Sequence, residues 1–193
     1  MRHRLFIAIN LDEAVRRGIA KLQEELEVKL DREMLRQIRF MPPENWHLTV
    51  SFLGYEDDAE LPKIVRAMGA AAKHFLPPEV IFDDVLYGPP RGGTKRMIWI
   101  HATDTVSKNI SAIKQFLEDQ LVAEGVPFSR EARPFSGHIT LARFNNEIPN
   151  ASLPKIEQSL RLRCTAVSLD LMESTLSRAG AEYAVLQKSS FPE

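Results

Sequence analysis

Two short stretches of this sequence carry residue types suited to acid–base chemistry at a phosphate. They read His47-Leu48-Thr49 and His138-Ile139-Thr140. In an extended strand residues i and i+2 point to one face. His47 and Thr49 therefore share a face, as do His138 and Thr140. Leu48, Val50 and Phe52 take the opposite, apolar face of the first strand, and Ile139 and Leu141 that of the second. Set side by side, two such strands would aim two imidazoles and two hydroxyls at one small volume. A neutral imidazole can take a proton from water, and a protonated one can give a proton to a departing oxygen, because histidine's unperturbed pKa is about 6.5. Threonine hydroxyls can donate to non-bridging oxygens whose charge grows toward the transition state. That is equipment for in-line attack at phosphorus.

The sequence holds five His and seven Thr. At that frequency His-apolar-Thr triplets should occur about 0.1 times per chain by chance. A third triplet, His101-Ala102-Thr103, follows the apolar run Ile98-Trp99-Ile100 at a strand's exit and reads as a decoy. His3 lies near the terminus, and His74 closes a helical stripe, where a cation is favoured. No spacing of His, Cys and carboxylates suggests a zinc site, so neither metal nor cofactor is expected. Arg143 is attractive as a phosphate clamp. Strict alternation sets it opposite His138, however, so it reaches the cleft only if the strand ends or bulges. Arg130 and Arg133 precede the second motif and read first as solvated charges. Among the aromatics Phe6, Phe52, Trp46 and Phe135 could stack a base, with Phe6 and Phe52 read as core.

The elements that must position these residues follow from periodicity. Leu5–Asn10 reads as a strand, then Val15, Ile19, Leu22, Leu26 and Leu30 as a helix stripe with Asp12 as N-cap. Pro42-Pro43 closes the connection to the first His-x-Thr strand, which Gly54 is expected to end. A second helix follows through Leu61, Ile64, Val65, Met68 and Phe75, then a strand over Val80–Leu86. The glycine-rich stretch at 88–96 superficially suggests a phosphate loop. Thr94 precedes Lys95, the wrong order for that motif, and a flexible crossover is the plainer reading. The pattern then recurs: Met97–His101 as strand, Val106 to Leu121 as helix stripe, Pro134, and the second His-x-Thr strand. A short helix is expected around Lys155–Leu160, and strands at Val167–Met172 and Tyr183–Leu186. Phe6 precedes His47 by 41 positions and Ile98 precedes His138 by 40. This implies one domain over 1–193 built on an internal duplication, with halves of about 1–88 and 97–193 joined by the 88–96 loop. Strands alternating with helices imply an α+β fold.

The chain has 193 residues and a formal net charge of −1, unlike proteins that coat long nucleic acid, so any nucleic-acid contact should be local. Its one cysteine, Cys164, forbids an intrachain disulfide and suggests a reducing compartment. No apolar run is long enough for a signal-peptide core or membrane span. A cytoplasmic protein is expected.

These residues resemble the two-histidine phosphoesterase superfamily, and within it the 2′-5′ RNA ligase-like branch, RNA 2′,3′-cyclic phosphodiesterase. The resemblance is carried by residues 4–9 (RLFIAI), 42–54 (PPENWHLTVSFLG), 133–143 (RPFSGHITLAR), 171–176 (LMESTL) and Tyr183. It implies a bilobal fold, two antiparallel sheets facing a central cleft with helices outside. It implies a metal-independent opening of terminal 2′,3′-cyclic phosphates to 2′-phosphates, with RNA 3′ ends or tRNA fragments as substrate, and in some members 2′-5′ ligation. On that resemblance His47 is the proton donor, His138 the base, and Thr49, Thr140 and Arg143 hold the phosphate. No membrane partner is implied, and a monomer is expected. Ser136-Gly137 stands where relatives often carry a bulkier residue or proline. Rival readings are a phosphodiesterase for a small cyclic nucleotide or 2′-5′ oligonucleotide, and a noncatalytic RNA-end-binding module.

Overall fold

The computed structural model describes residues 1–90, 92–156, 160–177 and 180–193. Strand β1 covers Arg2–Asn10, and its Leu5, Ile7 and Ile9 are fully buried. Asp12 then starts helix α1 (Glu13–Lys29) as expected, its carboxylate accepting from the Val15 amide at 2.8 Å. Val15, Ile19, Leu22 and Leu26 form the buried stripe. Leu30 is the residue that leaves the helix rather than its last turn.

Two elements in the next stretch have no counterpart in the periodicity: α2 (Arg32–Gln37), capped by Asp31, and strand β2 (Ile38–Phe40). Both are too short for a hydrophobic period to show. A 3₁₀ turn at Pro43–Asn45 delivers the chain into β3 (His47–Asp57). Gly54 does not end this strand. It takes φ of +91° and the strand continues three residues beyond it. Helix α3 (Leu61–His74) and β4 (Glu79–Gly88) follow. Strand β5 (Thr94–Ala102) leads into α4 (Asp104–Ala123), whose N-cap is Thr103. The second motif opens β6 (His138–Pro149). Lys155, Ile156 and Leu160 carry no helix, and residues 157–159 lie outside the described ones. The chain ends with β7 (Leu162–Thr165), β8 (Ser168–Ser177) and β9 (Gly180–Ser190).

The strands form two antiparallel sheets, ordered β3-β1-β8-β9 and β2-β6-β5-β4-β7. This is the α+β architecture anticipated above. Helix α1 packs by β7, α2 by β2 and β6, α3 by β8 and β9, and α4 by β3 and β4. The pairs β1–β3 and β5–β6 correspond, each setting a His-x-Thr strand beside the strand that precedes a long helix. The sheets nevertheless draw on both sequence halves. Strands β2 and β4 of the first half lie with β5 and β6, while β8 and β9 of the second complete the sheet of β1 and β3.

The 88–96 loop joins the neighbouring antiparallel strands β4 and β5, so it is a hairpin connection rather than a crossover. Lys95 is buried in it, and its ammonium donates to the carbonyls of Pro89, Pro90 and Gly92 at 2.8, 2.9 and 3.3 Å. The loop thus wraps its own cation and does not offer it to a phosphate.

Candidate active site

The two His-x-Thr strands break alternation at the same place. In β1–β3 the register runs Asn10↔His47, Ala8↔Thr49, then Ile7↔Ser51 and Phe6↔Phe52, so Val50 is an extra residue. In β5–β6 it runs His101↔His138, Trp99↔Thr140, then Ile98↔Ala142 and Met97↔Arg143, so Leu141 is extra. A bulge of this kind moves every later side chain to the other face. The first seven residues of both strands consequently share one burial pattern, with two successive buried residues before an exposed one. Arg143 therefore comes to the face that carries His138 and Thr140. Phe52, expected in the core, comes to the face of His47 and Thr49 and is 47% exposed. The two hold equivalent positions, each five residues after the histidine of its strand.

Each imidazole is held in the same way. His47 Nδ1 donates to the Asn45 carbonyl, and His138 Nδ1 to the Ser136 carbonyl, both at 2.8 Å. A ring whose Nδ1 carries the proton has its free lone pair on Nε2 when neutral. His47 Nε2 lies 3.1 Å from Thr49 Oγ1. The strands also meet at their starts: a Cβ placed on Gly137 would stand 3.4 Å from Leu48 Cδ1 and 3.0 Å from Ala102 Cβ. Glycine at 137 allows this approach.

The surroundings of the two rings differ. His47 sits against Phe6 and Tyr183, with ring centroids 4.9 and 5.1 Å away. Phe6 is buried with Ala8 and Met172 in a small second core that Tyr183 covers. Asn10, opposite His47, donates to Asp170 at 2.6 Å, and the buried Asp170 also accepts from Ser168. His138 instead stacks on Trp99 at 3.7 Å, the planes 18° apart. Trp99 and Arg143 both donate to Met97 Sδ, at 3.4 and 3.6 Å. Gly88 makes room for this stack, since a Cβ there would lie 2.4 Å from the Trp99 ring.

Burial pushes the His47 pKa down to about 4. The Asn45 carbonyl opposes this, and the charges of His138, Arg143 and Arg16 add to it. Burial is also the main cause that lowers the His138 pKa. The Ser136 carbonyl opposes it, His101 and Arg143 add to it, and Glu131 opposes it. His47 thus feels both His138 and Arg143, which ties the two strands into one electrostatic site.

Other residues singled out by sequence take different places. Trp46 is buried and Phe135 packs against the main core, so neither offers a free face like that of Phe52. Arg130 pairs with Asp119 and Arg133 with Glu131. His3 bridges Asp58 and Glu173, and His74 stacks on Phe116. Sequence reading missed Trp99, Tyr183 as a ring contact, and Arg16, which donates to the carbonyls of Pro43 and Trp46 beside the motif. For Trp99 a signal existed, because it precedes His101 by two positions in an apolar run. Among the described residues no group of three or more His, Cys, Asp or Glu is placed to hold a metal ion, and no helix is long and apolar enough to cross a membrane.

Comparison with known proteins agrees with this geometry. A family model described as LigT like Phosphoesterase matches residues 9–99. A Methanocaldococcus jannaschii protein named RNA 2′,3′-cyclic phosphodiesterase is 28% identical, covering 96% of this chain and 99% of its own. A Thermus thermophilus protein of the same name is 29% identical, covering 97% and 89%. A solved Thermus thermophilus structure superposes with a TM-score of 0.77 at 27% identity over 97% of both chains. E. coli LigT, solved with NADP+, shares the fold with a TM-score of 0.74 at 20% identity over 99% of both chains. Over residues 9–99 the chain is thus similar to LigT-like phosphoesterases, and over nearly its whole length to proteins named RNA 2′,3′-cyclic phosphodiesterase.

Proposed function

We propose that this protein hydrolyses 2′,3′-cyclic phosphate ends of RNA to 2′-phosphates without a metal ion, using His47 and His138 as acid and base. The observation that supports the reading is the matched pair of bulged His-x-Thr strands, each with an Nδ1-anchored imidazole and a threonine on one face, with Arg143 close enough for its charge to act on both rings. Relatives named for this reaction support it. His138, neutral, takes the proton of the attacking water at Nε2. His47, protonated, gives its Nε2 proton to the departing ribose 3′ oxygen. Thr49, Thr140 and Arg143 donate to the phosphoryl oxygens as their charge rises.

In the free protein both imidazoles favour the neutral form at pH 7, because burial and the nearby cations oppose a proton. The anionic phosphodiester reverses part of this on binding, since an opposite charge nearby favours the imidazolium. Substrate therefore helps to protonate its own acid. Phe52 offers a ring face at the cleft for a base, with the Arg4 guanidinium 4.7 Å from its centroid. That favours a nucleotide over a simple phosphodiester.

The test is turnover in EDTA of a short RNA ending in a 2′,3′-cyclic phosphate, beside the mononucleotide 2′,3′-cyclic phosphate. A 2′-phosphate product from wild type, absent in His47→Ala and His138→Ala, is the expected result. Activity lost in EDTA and restored by a metal would overturn the mechanism. Turnover of the mononucleotide alone would replace the RNA end by a small cyclic nucleotide as substrate.

A further inference from the structure

The third His-apolar-Thr triplet, set aside as a decoy in sequence, lies inside the site. Thr103 caps α4, accepting from the Val106 amide at 3.3 Å. His101 does something else. Its Cα stands directly across from that of His138 in the β5–β6 ladder. Its Nε2 lies 3.0 Å from Ser136 Oγ. The carbonyl of that same Ser136 accepts the His138 Nδ1 proton. Trp99, two residues before His101 on the same face, forms the stack under the His138 ring. One strand thus supplies both the surface beneath His138 and a hydrogen bond to the residue that orients it.

The like register of the β1–β3 pair gives this arrangement a control within the same molecule. The position equivalent to His101 is Asn10, across from His47. Asn10 is a neutral amide tied to Asp170, and it makes no comparable link to Asn45, whose carbonyl holds His47. The shared register has therefore received an uncharged neighbour at one imidazole and a titratable one at the other.

We propose that His101 is a positioning residue for His138, acting through Ser136, and that it sets the two histidines apart. It rests on the reading of His138 as the base. The hydrogen bond to Ser136 fixes the carbonyl, and with it the ring tautomer that presents a lone pair at Nε2. Any positive charge on His101 also discourages a second one on His138, which is the bias a base requires. The other charged groups facing this pair are Asp84, across from His101 on β4, Arg143 on β6, and Glu131 in the preceding segment. Asp84 Oδ1 accepts from the Val85 amide of its own strand. Glu131 acts against the bias and Arg143 acts with it.

The experiment compares wild type with His101→Asn, His101→Gln and Ser136→Ala. The imidazole of His138 is titrated by NMR, and kcat and KM for a cyclic-phosphate RNA are measured against pH. In His101→Asn the His138 titration should move to higher pH, the limb of the rate profile set by His138 should follow, and kcat should fall several-fold with KM little changed. Ser136→Ala, which keeps the carbonyl but loses the hydroxyl, should lower kcat in the same way. His101→Gln retains a side-chain donor for Ser136, and should recover kcat more than the titration shift. A His138 titration and kcat indistinguishable from wild type in His101→Asn would overturn the proposal. Should wild type turn over no cyclic phosphate, the proposed function fails, yet the NMR arm still decides whether His101 governs the protonation of His138.

Discussion

At the scale of single residues, the proposed chemistry depends on two imidazoles that resist protonation. On the proposed mechanism one of them must carry a proton when substrate arrives. Because the pKa of each is lowered, kcat/KM, which reports the free protein, should peak on the acid side of pH 6.5. The kcat profile should lie at higher pH, because the bound phosphate raises both groups. A kcat/KM optimum above pH 7 would contradict the burial argument. His47→Ala and His138→Ala should each lower kcat/KM by about 10²–10⁴-fold, the range for losing a general acid or base. Arg143→Met should cost on the order of 10² in kcat/KM, as for loss of one oxyanion donor. It should also raise the His47 titration, since Arg143 is among the charges holding it down. Both histidines and their threonines were legible in the sequence because i, i+2 spacing in a strand is a local rule. Phe52 and Arg143 were assigned to the wrong face, or only conditionally to the right one. Their side depends on bulges at Val50 and Leu141, which no residue type in either strand announces.

At the scale of elements, the site depends on how closely strands approach. Gly88 lets Trp99 lie flat against β4, and Trp99 in turn supports His138. Gly88→Ala should push the indole off the imidazole and lower kcat with little loss of fold. Crystallography or the His138 ring shift in NMR would show whether the stack is gone. The helix stripes and the Asp12 cap were legible because amphipathic periods and caps are local. Helix α2 and strands β2 and β7 were not, since elements of six, three and four residues bury too little to leave a pattern. The 88–96 loop misled differently. Its glycines and cations resemble a ligand loop, but Lys95 is consumed by the loop's own carbonyls. Lys95→Met should destabilise the protein by about 2 kcal/mol, the scale for hydrogen bonds from a charged donor, as read from urea unfolding.

At the scale of the whole molecule, stability should be squeezed from both sides of neutrality. His47 and His138 have native pKa values below their unfolded value of about 6.5. As pH falls through that value the unfolded chain binds protons that the native state refuses, so stability drops down to a pH near 4 for His47. His3 has the opposite sign. Its pKa is raised by its hydrogen bonds to Asp58 and then Glu173, so its contribution is full below the unfolded pKa and is lost as pH rises through the native one. Urea midpoints should therefore form a dome against pH. The acid arm should flatten in His47→Gln and the alkaline arm in His3→Gln. The correspondence of the pairs β1–β3 and β5–β6 was legible in the near-equal spacing of the motifs. The exchange of strands between sheets was not, because sheet membership is decided by contacts far apart in sequence. The two His-x-Thr strand pairs share a register, but not the residues in it: Phe52 answers Arg143, Asn10 answers His101, and Ala8 answers Trp99. A cyclic phosphate offers two ribose oxygens related by nearly a half-turn. A substrate seated the other way round would find donor and acceptor exchanged, and its ring would open at the wrong oxygen. On the proposed reaction, the regiochemistry of the product is set by these three mismatched pairs rather than by the histidines themselves.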